Sequence, residues 1–148
     1  MTQTTFPQHL EAPRVALRIG LGLAAFLAGL DKFVGLLADW PGYVAPVVAA
    51  MLPVSPDAFM QLVGVVEMGV GLAILTRWPR EGAWVAMAWL LLIAGNLVLT
   101  GRFFDVAVRD VEMAIAAFAL VRLTEAHEAA AGADRGRASS ARRLEAAA

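Results

Sequence analysis

The chain has 148 residues, 59% of them hydrophobic and 17% charged, with a mean hydropathy of +0.67. Soluble domains are about 45–50% apolar even with glycine counted and about 25% charged, so this composition points away from an ordinary soluble enzyme and toward a membrane protein. Twelve Lys and Arg against thirteen Asp and Glu leave a net charge of −1, without the basic surplus that nucleic acid demands. The absence of cysteine excludes disulfides, iron–sulfur clusters, thiolate zinc sites and dithiol redox chemistry.

A helix needs about 17–25 mostly apolar residues to cross a bilayer core about 30 Å thick. Residues 13–30, 58–75, 83–99 and 106–123 qualify, each with 17 or 18 residues and so about 26–27 Å of helix. None carries the polar stripe of a helix on a soluble surface, and a chain this short cannot bury four helices on all sides. The fold expected is an all-α integral membrane protein, a four-transmembrane-helix bundle over 13–123. A polar segment, 1–12, precedes it, without the Lys or Arg of a signal-peptide n-region. An Ala/Arg-rich tail, 124–148, follows, expected to extend the last helix briefly and then fray, partly disordered.

The first connection, 31–57, holds Pro41, Pro46, Pro53 and Pro56. Its apolar piece, 44–52, is too short to cross and is interrupted by Pro46, which predicts an interfacial or re-entrant segment with Trp40 and Tyr43 at headgroup level. Trp78-Pro79 closes the second span and Thr100-Gly101 the third. Basic residues set the orientation. With both termini inside, Arg14, Arg18, Arg77, Arg80, Arg122, Arg135, Arg137, Arg142 and Arg143 are cytoplasmic, against only Lys32, Arg102 and Arg109 outside. The expectation is a multi-pass membrane protein with both termini cytoplasmic.

Ionisable groups inside spans cost about 2.5–3.5 kcal/mol each on insertion scales and so mark sites or locks. Glu67 stands ten residues into the second span, with Gly64 and Gly71 on its face to admit a close neighbour helix. It reads either as a neutral structural lock or as a group that handles a proton. In the first span Arg18, Gly22, Ala25, Gly29 and Lys32 form one face, small in the middle and cationic at each end. In the fourth, Asp105, Arg109 and Glu112 share a face that Ala116 and Ala119 continue, with Asp110 about 100° away. Asn96 brings an amide to the outer end of the third. Glu67 is therefore the candidate catalytic residue, and Arg18, Lys32, Asn96, Arg109 and Glu112 are candidate ligand contacts. Pairs such as Lys32 or Arg109 with Glu67 or Glu112 are expected at one level of the bundle, as a polar lock or as the lining of an outward-facing pocket.

His9 and His127 fall outside the spans, which argues against haem. Neither a glycine-rich phosphate loop nor a nucleophile triad can be assembled. No metal site and no covalent cofactor are expected.

The chain resembles the DoxX-like membrane proteins, including the YkgB-type inner-membrane proteins, over about residues 14–123. The resemblance rests on Leu17-Arg18-Ile19-Gly20-Leu21, on Ala28-Gly29-Leu30-Asp31-Lys32-Phe33, and on Val63-Gly64-Val65-Val66-Glu67-Met68-Gly69-Val70-Gly71-Leu72. Ala28 departs from the polar residue that many relatives carry there. The resemblance implies a four-helix inner-membrane protein, with Arg18, Lys32 and Glu67 as family-like polar positions. One branch of that family is a subunit of a thiosulfate:quinone oxidoreductase, and others accompany defence against oxidative or electrophilic stress. Quinone is then the implied non-covalent ligand. The implied function is a quinone-linked redox or oxidative-stress component, with electrons from a soluble or membrane redox partner. The alternatives are a non-catalytic assembly subunit, and a small-molecule or proton transporter working as a homodimer.

Overall fold

The computed structural model describes residues 8–147, all helices and connections: α1 (Gln8–Val34), α2 (Pro46–Ala49), α3 (Pro56–Leu75), α4 (Pro79–Leu99) and α5 (Phe104–Ala147), with a single 3-10 turn at Trp40–Tyr43. Residues 1–7 of the expected polar segment lie outside the described residues. Residues 8–12 belong to α1, which therefore begins before Pro13.

Prolines and small polar residues set the helix starts. Pro56 opens α3 behind the N-cap Ser55, whose hydroxyl accepts from the Ala58 N–H at 3.2 Å, and Pro79 opens α4. In each first turn the missing proline N–H costs nothing. The αL residue Gly35 (φ +69°) ends α1, its N–H donating to the Asp31 carbonyl.

Helix α1 runs antiparallel to α3, and α4 packs against α5. Contacts of α3 with α4 and of α1 with α5 close the ring. One core cluster, Leu21, Ile74, Ala83, Ala86, Ala117, Leu120 and Val121, fills the half of the bundle nearest the α3–α4 turn. The other end is closed by the connection before α3, which folds back so that Val44 packs with Met60 and Val63 and against Trp89. The expected non-crossing segment thus lies across the bundle end. Val44 and Ala45 are buried there, whereas Val47 and Met51 point outward.

Three helices are long and apolar enough to cross a membrane, His9–Val34, Pro56–Leu75 and Pro79–Leu99. The expected fourth span, 106–123, contains Arg109, Asp110, Glu112 and Arg122, and it falls short of that apolarity. Leu23, Leu27, Leu62, Leu72, Val85 and Leu92 form an exposed apolar exterior that water would penalise and lipid accommodates.

The tail does not fray within the described residues. It continues α5 to Ala147, making one helix of 44 residues, about 66 Å long. Its composition explains this, since Ala, Glu and Arg are strong helix formers. Local pairs such as Arg122–Glu125 (2.5 Å) and Arg137–Asp134 (3.4 Å) support it. Arg80 Nη1 reaches Glu128 at 3.2 Å, and His127 Nδ1 lies 3.4 Å from Glu11, joining this helix to α4 and α1.

Candidate functional site

The site is positioned by the crossing of α1 and α3. Gly22 meets Gly71 and Gly29 meets Gly64, so two backbone-to-backbone contacts stand seven residues apart on both helices. A Cβ built on Gly29 would lie 2.5 Å from the Gly64 carbonyl oxygen, and one on Gly64 would lie 2.6 Å from that of Gly29. Only glycine permits such an approach. It also allows Cα–H···O contacts between the helices.

Arg18 fixes the register from the other end. Its guanidinium donates to the carbonyls of Ile74 (2.9 Å), Leu75 (2.9 Å) and Thr76 (2.5 Å), the C-terminus of α3. The cation therefore satisfies orphan carbonyls at the negative end of the helix dipole. It stands fourteen residues from Lys32 on the same helix, about 21 Å away. Expected as a ligand contact, Arg18 is placed as a helix cap remote from the other candidates.

Next to the Gly29–Gly64 contact, Lys32 Nζ donates to Glu67 Oε2 at 2.6 Å, with 4% and 9% of the two side chains exposed. This is one of the pairs the sequence nominated. Lys32 Nζ also lies 3.5 Å from the Ala28 carbonyl and 3.7 Å from the Trp40 ring centroid, a cation–π arrangement. The ammonium is thus enclosed by a carboxylate, a carbonyl and an indole face.

Asp31, the residue before, is buried too and holds this lid in place. Its carboxylate accepts from Trp40 Nε1 (2.8 Å) and from the N–H groups of Leu36 (2.9 Å) and Leu37 (3.0 Å). One carboxylate therefore orients the indole that covers the neighbouring lysine. The sequence analysis did not single out Asp31. The signal was its place at the end of a helix just ahead of the αL glycine, Gly35, where freed loop N–H groups need an acceptor.

Above the pair lies a chamber of about 570 Å³ between the end of α1, the 35–41 loop and the start of α3. Lys32, Trp40, Asp39, Asp57, Met60 and Gln61 are among the residues that line it. The two carboxylates disfavour anions, while the volume suits a small organic ligand. A second space of about 50 Å³ lies inside the bundle, walled by Glu67, Trp89 and Met113 among others. Lys32 thus borders the chamber and Glu67 the inner space, with their ion pair between.

Helix α5 turns a different face inward from the one expected. Ala107, Asp110, Ala114, Ala117, Val121 and Thr124 are buried, whereas Asp105, Arg109 and Glu112 are exposed. The small residues decide this, because Ala107, Ala114 and Ala117 let α5 approach α4 closely and carry Asp110 inward with them. Asp110 is within electrostatic reach of Lys32 and Glu67, and Arg109 Nε lies 3.8 Å from its carboxylate. Arg109 and Glu112 are not in the cluster.

Asn96 is placed as a clamp on the connection. Its Nδ2 donates to the Tyr43 carbonyl at 2.7 Å and its Oδ1 accepts from the buried Ala45 N–H at 3.0 Å. Both halves of the amide are thereby used on backbone. Tyr43 also meets Phe103 edge to face at 4.5 Å.

The centre is therefore a desolvated Lys32–Glu67 pair with Asp31 and Asp110 nearby. It supplies ammonium N–H donors and a carboxylate, with the Lys32 end under an aromatic lid that Asp31 holds in place. Among the described residues no group of three or more His, Cys, Asp or Glu could hold a metal ion. Compared with protein-family profiles, with curated proteins and with solved structures, the chain matches none.

Proposed function

We propose that this is a four-span inner-membrane protein of the DoxX-like kind, both termini cytoplasmic, that binds a quinone in the chamber over Lys32 and Glu67. The observation that carries the reading is the buried ion pair whose lysine, covered by Trp40, lines the chamber. The residues fit a neutral carbonyl compound. Lys32 donates hydrogen bonds to a carbonyl oxygen, Trp40 and Met60 offer apolar walls, and the carboxylates of Asp39 and Asp57 in the lining turn anions away. A bound quinone supplies two-electron, two-proton redox chemistry, the electrons coming from a redox partner. Lys32 stabilises negative charge that develops at the carbonyl, and Glu67 holds or releases a proton from the far side of their ion pair.

Supporting a binding role over transport, the half of the bundle toward the α3–α4 turn is closed by Leu21, Ile74, Ala83, Leu120 and Val121. The chamber opens at one end of the bundle.

Titration of the purified protein in nanodiscs with a short-chain ubiquinone tests this. Saturable quenching of tryptophan fluorescence is expected, weakened in Trp40→Phe and in Lys32→Met. Quenching that is linear with quinone, and equal in both variants, removes the reading.

A further inference from the structure

We infer that the exposed face of α5 docks on the same face of a second copy of this chain. The inference rests on the proposed fourth span, since it needs the first half of α5 to lie in lipid. Asp105, Arg109, Glu112, Ala116 and Ala119 fall within an arc of about 80° at 3.6 residues per turn. The three charged residues are exposed, Arg109 with 65% of its side chain accessible, and the two alanines are half-buried. Among the described residues no hydrogen bond or ion pair engages Asp105 or Glu112. Helix interiors in lipid do not leave carboxylates facing acyl chains; such groups turn toward protein or a polar cavity. The bundle itself has turned the opposite face of α5 inward, through Ala107, Ala114 and Ala117. Ala116, at the flank of this face, packs partly against the core cluster; the charged turn of Asp105, Arg109 and Glu112 is what remains turned away from the chain's own helices.

The charge order identifies the neighbour. Asp105, Arg109 and Glu112 read minus, plus, minus along the helix, with about 4.5 Å of rise between Arg109 and Glu112. In a two-fold pair of parallel helices, Arg109 of each copy meets Glu112 of the other. The pairing thus forms twice, as an isologous interface requires. Ala116 and Ala119 continue the same arc and let the two helices approach beyond the charged turn. The interface would also adjoin the buried site, because Arg109 stands 3.8 Å from Asp110, and Asp110 senses Lys32 and Glu67.

The absence of native cysteine makes the test direct. In membranes containing the full chain, Ala116→Cys is expected to cross-link to a dimer under mild oxidation, and Leu92→Cys on the exposed face of α4 is not. Copies carrying Arg109→Glu or Glu112→Arg should each lose self-association. Co-expressed with different tags, those two copies should associate, because the mixed pair restores both ion pairs. The proposal is overturned by a monomeric parent, by equal cross-linking at Leu92→Cys, or by failure of the mixed copies to associate when the parent does. Labelling of Ile115→Cys, at an exposed position of the same helix, with a membrane-impermeant maleimide separates the two readings. Labelling in intact membranes means that α5 is in water and the fourth span fails. Protection from the label without cross-linking of Ala116→Cys means that the span stands and only the dimer fails.

Discussion

Gly29 and Gly64 touch backbone to backbone, and that contact sets where Lys32 meets Glu67. A Cβ on Gly64 would lie 3.1 Å from Lys32 Cβ as well as 2.6 Å from the Gly29 carbonyl oxygen. The ion pair is therefore built on the closest approach of the two helices, and its geometry is only as stable as that approach.

Gly64→Ala should consequently push α1 and α3 apart, costing about 1–3 kcal/mol by overpacking. Gly69→Ala, with nothing within 4 Å of the added methyl, should be neutral or stabilising by up to about 1 kcal/mol through helix propensity. Unfolding of the two variants in detergent, followed by circular dichroism, measures the contrast. Equal effects would mean that the glycine contact does not govern the packing.

Breaking the buried pair from one side strands the other charge. Lys32→Met and Glu67→Leu should each destabilise by about 3–5 kcal/mol, with the double variant recovering much of the loss. Glu67→Gln keeps shape and an acceptor for Lys32 but still strands its charge, so it should fold with a smaller loss of stability than Glu67→Leu and lose the quinone-dependent activity proposed above. A Glu67→Gln protein indistinguishable from the parent in stability, ligand retention and stress resistance would reduce the carboxylate to a structural lock.

Asn96→Leu removes both partners that hold Tyr43 and Ala45 and leaves the buried Ala45 N–H unsatisfied, at about 1–3 kcal/mol. Limited proteolysis between residues 36 and 54 should accelerate while helicity is retained. Cleavage at the parent rate would show that hydrophobic packing alone secures the connection.

Arg18→Lys should not substitute for arginine, because one ammonium cannot span three carbonyls in the fixed fork of a guanidinium. Hydrogen exchange at the N–H groups of residues 74–78 should quicken in Arg18→Lys and more so in Arg18→Ala. Unchanged protection in both would remove Arg18 as the cap of α3.

Reporter fusions at Gly42 and after Leu123 should report opposite compartments, given the bias of basic residues. The same compartment for both would remove the proposed topology.

The α1 and α3 faces were legible because glycines and charges repeat at helical spacing. Gly22, Gly29 and Lys32 on one helix and Gly64, Glu67 and Gly71 on the other each declared a contact face, and Lys32–Glu67 was among the pairs nominated. That the glycines oppose one another two by two was not legible, since it depends on the antiparallel register. The face of α5 was misjudged for a physical reason. Periodicity shows which residues share a face but not which face turns inward, and the charged arc outweighed the small-residue arc of Ala107, Ala114 and Ala117. Arg18 and Asn96 drew attention as polar groups near spans. Their partners are backbone atoms more than fifty residues away, and no local pattern announces those.

Helix α5 has a mechanical consequence. No proline follows Pro79 in the sequence, so from Phe104 to Ala147 it is one stiff rod. Its first half is packed against the bundle through Ala107, Ala117, Leu120 and Val121, and its ion pairs at His127 and Glu128 tie it to α1 and α4 once more. Beyond Ala130, the last buried residue, about 25 Å of helix projects from the bundle. That projection is a spacer of fixed length, aimed by the packed half. Whatever meets the tip of the tail is held at that distance from the bundle end.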